Sequence, residues 1–320
     1  MNATKREMIP MRPAYGAALV ELGKENDKVV ALSAEVHNSD HSFMFENEFP
    51  DRFFNVGIAE QALVDVSVGF ALAGYIPFAN TFATFFATRA VEMIRTHACY
   101  GGAKVKLMGA YSGLSDSFDG PTHHSVTDLA IMRSLPNMTV VVPSEPTSIL
   151  AFLRMIAEWD GPVYCRFNRN EVPVVFDSSY APKLGVAHTA REGSDVTIIA
   201  CGILVARALD AAAELEGRGV SARVVEMHTI KPLDRDAVLD AARTTGAIVT
   251  AEEHSVIGGL GGAVAELVAD EYPVPVKRVG VHDRFAETGP YNQILDAYGM
   301  SVQDIVTAAL AAIEAKKQRR

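Results

Sequence analysis

Residues 29–33 read Val-Val-Ala-Leu-Ser, an almost wholly apolar run without alternation of polar and apolar positions. Such a run is typical of a β-strand buried on both faces, as the strands of parallel sheets are. Comparable runs recur at residues 105–108, 139–142 and 163–167. Between the runs lie segments with helical spacing of apolar residues, at 13–23, 60–73, 84–100 and 146–157. This alternation predicts an α/β fold whose mainly parallel sheet is covered by helices.

The alternation is interrupted between Asp177 and Asp195, a stretch that contains a proline and two glycines. These residues disfavour helix and strand interiors, so the stretch is typical of a domain boundary. The pattern then resumes, with predicted strands at 196–200, 222–226, 247–251 and 276–281 and predicted helices at 205–218, 233–244, 261–270 and 302–316. We therefore predict two consecutive α/β domains, residues 1–180 and residues 190–320.

The composition argues against several classes of protein. The 320 residues include 39 acidic and 29 basic ones, and the net charge of −10 disfavours nucleic acid as a partner. No run of about 18 apolar residues is present, so we expect no membrane partner. The cysteines, Cys99, Cys165 and Cys201, are far apart and lack metal-binding spacing. We expect reduced thiols, a cytoplasmic location and no metal site in this chain.

Three loops after predicted strands are rich in serine, histidine, aspartate and arginine. They follow Ser33, Met108 and Phe167. Ligands of open α/β sheets bind beyond the carboxyl ends of the strands. We therefore expect the functional site at this edge of the first sheet.

The segment Asn55-Val-Gly-Ile-Ala-Glu60-Gln61 leads into a predicted helix of small residues. Glu60 stands among apolar neighbours that indicate burial, and a buried carboxylate must be paired or protonated. This environment suits a group that shares a proton with a ligand. A carboxylate at a helix start is also a common partner of the helix dipole, and the spacing leaves both interpretations open.

Two further segments combine aromatic and polar residues. Phe82, Phe85 and Phe86 follow a strand-like segment and indicate either core packing or a surface for stacking a flat heterocycle. Residues 109–124 form a polar loop that ends in His123 and His124. A loop of this polarity favours a binding site over a plain connection.

Arg166 and Arg169 follow the run at residues 163–167. Two arginines at the end of a buried strand suit a clamp for phosphate or a similar anion. A surface ion pair is an equally good interpretation of the spacing.

Taken in chain order, these motifs resemble the C-terminal half of transketolases over residues 8–312. The resemblance rests on Arg12-Pro-Ala-Tyr-Gly, Val56-Gly-Ile-Ala-Glu60-Gln61, Thr81-Phe82-Ala-Thr-Phe85, Asp119-Gly-Pro-Thr-His123 and Thr229-Ile-Lys231-Pro232-Leu-Asp. It implies a domain that binds the pyrimidine of thiamine diphosphate, followed by a transketolase C-terminal domain. It also implies ketol transfer, in which a two-carbon unit passes from a ketose to an aldose.

The resemblance further implies roles for individual residues. Catalytic roles fall to Glu60, which hydrogen-bonds the aminopyrimidine, and to Asp119 and His123, which contact the donor hydroxyls and reacting carbons. Cofactor contacts fall to Glu60, Phe82, Phe85, Glu35 and Ile58. Substrate contacts, including those to the anionic end of the donor, fall to Arg12, Ser39, Tyr111, Asp119, His123, Arg166 and Arg169.

Tyr111 departs from the family pattern, because many transketolases have a histidine eight residues before the aspartate that corresponds to Asp119. Tyrosine donates one hydrogen bond and carries no positive charge. A branched or otherwise altered ketose, or an anionic end other than phosphate, therefore becomes a plausible substrate.

Half of a transketolase site is missing from the sequence. The family holds the diphosphate and its divalent ion through a Gly-Asp-Gly motif, which does not occur in these 320 residues. We expect a separate N-terminal-type, diphosphate-binding subunit that also holds Mg²⁺. The expected assembly is α2β2, with no activity from this chain alone and with self-association through the face that binds the partner.

Three other interpretations remain open. The β subunit of a 2-oxo-acid dehydrogenase has a similar length, domain order and glutamate, although the Thr81-Phe82 and Asp119-Gly-Pro-Thr-His123 motifs favour transketolase. Deoxyxylulose-phosphate synthase is normally one long chain, which disfavours a fragment of it. A non-catalytic binding protein would have no physical need for Glu60, Asp119, His123 and Arg169 together.

Overall fold

The computed structural model describes residues 6–177 and 179–318. The outer ends of the two predicted domains, residues 1–5 and 319–320, lie outside the described residues, as does residue 178 of the predicted boundary. Within the described residues, no helix is both long and apolar enough to cross a membrane.

The first domain is built around a parallel sheet with helices on both faces. Its elements are β1 (Met8–Pro10), α1 (Met11–Glu25), β2 (Val29–Ser33), α2 (His37–Asp40), α3 (Phe43–Glu48), a 3₁₀ turn (Pro50–Arg52), β3 (Phe53–Asn55), α4 (Glu60–Leu72), β4 (Ile76–Phe82), α5 (Ala83–Thr88), α6 (Val91–Met93), a π-helix (Ile94–Tyr100), β5 (Lys106–Ala110), α7 (Asp128–Ser134), β6 (Thr139–Val141), α8 (Ile149–Glu158), β7 (Val163–Arg166) and β8 (Glu171–Pro173).

The second domain repeats the alternation of strand and helix. Its elements are β9 (His188–Arg191), β10 (Val196–Ala200), α9 (Leu204–Glu216), β11 (Ala222–Glu226), β12 (Thr229–Lys231), α10 (Arg235–Thr244), β13 (Ile248–Ser255), α11 (Leu260–Glu271), β14 (Val276–Val281), α12 (Tyr291–Ala297) and α13 (Val302–Lys317).

Both large sheets are mainly parallel, so the predicted fold class is confirmed. The first has the order β12-β6-β7-β5-β4-β2-β3, in which only β12 is antiparallel to its neighbour. The second has the order β14-β13-β10-β11-β9, with antiparallel β9 at its edge. All five residues of β2 are buried, which explains why its sequence does not alternate.

The two domains are packed closely together. β12 lies in the second half of the chain but pairs with β6 of the first sheet. An apolar cluster also joins Leu129 and Val140 to Ile199 and Val225. The loops that follow β5 and β7 therefore lie beside the second domain.

Residues 84–100, predicted as one helix, form α5, α6 and the π-helix instead. The chain leaves helical geometry at Arg89 and Ala90, between α5 and α6. This break lies next to the start of α4, where it affects the candidate site.

Candidate active site

Glu60 is the first residue of α4, and only 5% of it is exposed. Its Oε1 accepts a hydrogen bond from Nη1 of Arg89 at 2.7 Å. The Arg89 side chain is about half exposed, so the pair connects a buried carboxylate with the surface. This ion pair supplies the partner that a buried, ionised carboxylate requires.

An aromatic wall stands beside this ion pair. The rings of Phe82 and Phe85 have centroids 5.6 Å apart with planes 28° apart, and Phe82 stacks on Tyr111 at 4.2 Å. The edge of His123 meets Phe85 at 5.4 Å, and the Arg89 guanidinium lies 3.7 Å from the Phe85 centroid. Phe82 and Phe85 are only half-buried, so a second flat group can stack against them. The third phenylalanine of the motif is fully buried and belongs to the core.

Two guanidinium groups converge on Tyr111 at the end of β5. Arg12 donates from Nε to the carbonyl of Arg169 at 2.8 Å, and from Nη1 to the Ser39 carbonyl at 2.8 Å and the Tyr111 hydroxyl at 3.0 Å. The Arg169 guanidinium lies 5.2 Å from the Tyr111 ring centroid. Tyr111 has a φ of 60°, an uncommon backbone conformation for a bulky residue. The fold therefore holds this tyrosine between the two arginines.

The polar loop places one carboxyl at the surface and one inside. Asp119 is exposed, whereas Asp116 is fully buried with its Oδ1 3.6 Å from Nε of Arg169. Within the described residues, neither carboxyl oxygen of Asp116 has a hydrogen-bond partner. Burial and the nearby Asp119 raise the pKa of Asp116 to about 7, against the opposing charge of Arg169. Burial lowers the pKa of the neighbouring His124.

Asp116→Asn should stabilise the chain at alkaline pH. Because the pKa of Asp116 is raised from 3.8 to about 7, the folded chain binds this proton more tightly than the unfolded chain does. Protonated Asp116 therefore contributes its full stabilisation of the folded chain below about pH 4, and this contribution is lost as the pH rises through about 7. We expect Asp116→Asn to raise the melting temperature by a few degrees at pH 8.5, and by less at pH 5.5. Differential scanning fluorimetry at both pH values tests this, with exposed Asp51→Asn as the control. An equal effect at both pH values would contradict it.

Glu35 and Ile58 lie at the rim of the site. Glu35 follows β2 with a φ of 62°, and its Oε2 accepts a hydrogen bond from Asn55 Nδ2 at 2.8 Å. Ile58 precedes α4 and is 77% exposed. Their predicted contacts with a cofactor stay predictions, and their exposure leaves both side chains accessible.

Arg166, predicted among the substrate residues, lies in a buried ion pair, so its contact with substrate stays a prediction. Its side chain is 2% exposed and donates from Nη1 to Oδ1 of Asp128 at 2.9 Å. Nη2 donates to the backbone carbonyl of Glu253 at 3.1 Å. The guanidinium is thus held between Asp128 of the first domain and Glu253 of the second, and its ion pair is buried.

Two residues near the site, Arg89 and Glu253, were not predicted from the sequence. Arg89 lies four residues after Phe85, a helical spacing that could have indicated the contact. Glu253 lies in β13, and no local pattern connects it with the loop it contacts. Its Oε1 accepts the backbone N–H of Leu114 at 2.7 Å.

The described residues contain no group of three or more histidine, cysteine, aspartate or glutamate side chains placed to hold a metal ion. Cys99, Cys165 and Cys201 are buried and free, as expected.

Comparison with known proteins agrees with this arrangement. Residues 7–175 match the family model of the transketolase pyrimidine binding domain, and residues 185–305 match that of the transketolase C-terminal domain. The 6-deoxy-6-sulfo-D-fructose transketolase subunit SqwH of Clostridium sp. (strain MSTE9) is 40% identical over 97% of this chain and 96% of that protein. A subunit of the apulose-4-phosphate transketolase of Phocaeicola vulgatus is 35% identical over 96% of this chain and 98% of that protein.

A solved structure shows the same fold over nearly the full length. A split gene transketolase, described as an inactive β4 tetramer, is 48% identical and superposes with a TM-score of 0.90. The match covers 96% of this chain and 99% of that chain. The chain belongs to the transketolase family, and it corresponds to the subunit that carries the pyrimidine-binding and C-terminal domains.

Proposed function

We propose that this chain is the pyrimidine-binding subunit of a two-subunit transketolase. It transfers a two-carbon ketol unit from an anionic ketose to an aldose, together with a separate diphosphate-binding subunit that holds Mg²⁺. The observation that carries the proposal is the buried carboxylate of Glu60 beside a half-buried aromatic wall. Around this pair, Arg12, Ser39 and Arg169 supply the polar groups for a sugar substrate.

The residues present fit the pyrimidine half of thiamine diphosphate. Phe82 and Phe85 would stack on the flat ring, and Glu60 would hydrogen-bond a ring nitrogen, with Glu35 and Ile58 at the rim. When bound, the cofactor supplies a nucleophilic carbon and an electron sink for the two-carbon unit. The Glu60 carboxylate would share a proton with that ring nitrogen when the cofactor is bound, and burial would strengthen the hydrogen bond.

The sugar is oriented by the polar loop beside the wall. Asp119 is exposed and accepts hydrogen bonds from donor hydroxyls in this proposal. His123 packs edge-on against both phenylalanines of the wall, so its ring faces the place where a stacked cofactor would end. From there it can pass a proton to or from a substrate oxygen.

The charges near Tyr111 favour a singly charged end group on the donor. Arg12 uses Nε and Nη1 for its hydrogen bonds within the described residues, so Nη2 can bind an anion. The positive charge of Arg169 is opposed by Asp119 and by Asp116, which is only partly ionised at pH 7 because its pKa is raised to about 7. A phosphate group carries close to two negative charges at pH 7, whereas a sulfonate carries one. One relative is named for a sulfonated ketose and another for a ketose phosphate. Because the charges around Tyr111 favour the singly charged group, we propose a sulfonated ketose as the donor for this chain.

The surface around α4 suits the partner subunit. Apolar side chains are exposed there at Phe54, Ile58, Val66, Leu72 and Tyr75. An exposed apolar patch of this kind marks a protein interface. We propose an α2β2 assembly through this patch, and self-association through the same patch when the partner is absent. The β4 state of the related split transketolase supports this second point.

We expect ketol transfer only from the mixture of both subunits with thiamine diphosphate and Mg²⁺. Each subunit alone and the mixture would be offered 6-deoxy-6-sulfofructose, fructose 6-phosphate and xylulose 5-phosphate, with an aldose acceptor. Light scattering would report the assembly in each sample. The sulfonated donor should give the highest kcat/KM.

Other outcomes of the same assay distinguish the alternatives. Turnover by the isolated chain would contradict the split site. Decarboxylation of 2-oxo acids without ketol transfer would indicate a dehydrogenase β subunit. Condensation of pyruvate with glyceraldehyde 3-phosphate would indicate a deoxyxylulose-phosphate synthase. Assembly without turnover or cofactor binding would favour a binding protein.

A further inference from the structure

The loop that carries Tyr111, Asp119 and His123 rests on the second domain. Gly289 donates its backbone N–H to the Ser117 carbonyl at 3.0 Å, and Ser255 donates to the Val126 carbonyl at 2.8 Å. The loop is therefore anchored from outside its own domain at several points. Its position depends on residues far away in sequence.

Glu253 is the charged side chain at the centre of this contact. It lies in β13 and is 4% exposed. Its Oε1 accepts the Leu114 N–H at 2.7 Å, and its Oε2 accepts from Asn168 Nδ2 at 3.3 Å. Asn168 Nδ2 also donates to the Tyr291 hydroxyl at 2.6 Å, so the amide joins that hydroxyl to the carboxylate. One carboxylate thus binds both the loop after β5 and the segment after β7.

The close approach leaves no room for a side chain at Gly113. A Cβ placed there would lie 2.4 Å from Cδ of Glu253, and the φ of Gly113 is +61°. The loop therefore turns directly against the carboxylate. Leu114 follows this turn, three residues after Tyr111, and Asn168 immediately precedes Arg169.

We infer that Glu253 is a positioning residue for ketol transfer, which fixes the distance between the Tyr111–His124 loop and Arg169. The inference rests on the proposed function and extends it to the second domain. Glu253 lies outside the groups expected to touch cofactor or substrate. It acts by holding the residues that bind the sugar, while the cofactor wall of Phe82 and Phe85 is held by the first domain.

A carboxylate suits this position better than an amide does. Two donors converge on Glu253, namely the Leu114 N–H and the Asn168 amide, and the Tyr291 hydroxyl accepts from the same amide beside it. Burial raises the pKa of Glu253 to about 7, while the positive charge of Arg166 opposes the shift. In Glu253→Gln, the new NH₂ group would face the Asn168 amide, which is also a donor, so the loop and the Asn168 segment would separate.

A second substitution, Asn168→Asp, should restore the hydrogen bonds that are lost in Glu253→Gln. Asn168→Asp places acceptor oxygens opposite the new amide and the Tyr291 hydroxyl, and can still accept the Asn170 N–H that Asn168 Oδ1 now accepts at 2.8 Å. The double variant Glu253→Gln/Asn168→Asp therefore restores complementarity without changing the total charge. Glu192→Gln, at a residue whose side chain is 84% exposed, is the matched control.

Two measurements on the full chain and its reconstituted complex test the inference. Hydrogen exchange of the peptide that contains Leu114 should accelerate at least about tenfold in Glu253→Gln and return to the wild-type rate in the double variant. Donor kcat/KM should fall about 10- to 100-fold in Glu253→Gln, since small misplacements of binding groups have effects of this size. Affinity for thiamine diphosphate should stay within about twofold.

The outcomes separate this inference from the proposed function. Unchanged exchange or unchanged donor kcat/KM in Glu253→Gln would overturn the positioning role. A parallel loss of cofactor affinity and melting temperature, not reversed in the double variant, would assign Glu253 a purely structural role and also overturn it. A wild-type complex without ketol transfer would contradict the proposed function, while the exchange data would still decide whether Glu253 holds the loop.

Discussion

The Glu60→Gln variant is expected to lose kcat for ketol transfer by about 10²- to 10⁴-fold, the usual contribution of a positioned proton-transfer group. Glutamine keeps the size of the side chain and an oxygen that can accept from Arg89, so α4 should fold normally. Unlike the carboxylate of Glu60, its amide cannot take up or release a proton. The fall in kcat should therefore come from the missing proton transfer and not from a change in the fold.

Kinetics of the reconstituted complex and calorimetric titration of thiamine diphosphate test this expectation together. The melting temperature should change little, and the cofactor should still bind, because stacking on Phe82 and Phe85 is retained. Glu158→Gln, an exposed residue at the end of α8, is the control. A Glu60→Gln complex with kcat within about threefold of wild type would remove Glu60 from the catalytic role.

The candidate site was predictable where its residues lie in short local motifs. The helix start around Glu60 and the strand before Phe82 and Phe85 left a structural role open for each, and the resemblance to transketolases is what assigned all three to the site. The partners of these residues were harder to predict. Glu253 is separated from Leu114 by more than a hundred residues, and a glutamate in an apolar strand does not indicate which loop it will meet.

The fold was predictable where strands are long enough to show a pattern. β2 and β10 are largely apolar runs of five residues and were predicted at their observed bounds, as was the six-residue β14, whose apolar residues flank Lys277 and Arg278. β12 has three residues, too few for any periodicity, and its pairing with β6 depends on the packing of the two domains. The predicted helix at residues 84–100 contains neither glycine nor proline, so its sequence gives no local sign of the break at Arg89.

Arg166 shows why position at a strand end is not enough to assign a role. The sequence places it at the functional edge, and both a phosphate clamp and an ion pair satisfy that position. The structure places its partner, Asp128, at the start of α7, where Tyr164 also donates to it at 2.7 Å. Only the three-dimensional arrangement distinguishes the two roles.

The Arg166→Met variant is expected to lower the free energy of unfolding by roughly 3–5 kcal/mol, because it leaves Asp128 buried without its cation. The double variant Arg166→Met/Asp128→Leu removes both charges and should recover at least half of that loss. Urea unfolding of the isolated chain at one fixed protein concentration measures both, since self-association shifts apparent stability. The exposed Arg243→Met should change the free energy by less than about 0.5 kcal/mol.

The same double variant decides between the structural and the substrate role of Arg166. If the buried pair is structural, restoring stability should restore donor binding, with KM within about threefold of wild type in the reconstituted complex. Arg169→Met should instead raise the donor KM about 10- to 100-fold without a comparable loss of stability, since it removes a charged hydrogen bond of about 1.5–3 kcal/mol. A stable double variant with a KM raised as much as that of Arg169→Met would return Arg166 to the substrate site. Physically, this outcome would require the guanidinium to leave Asp128 when the sugar binds, which its burial between two domains opposes.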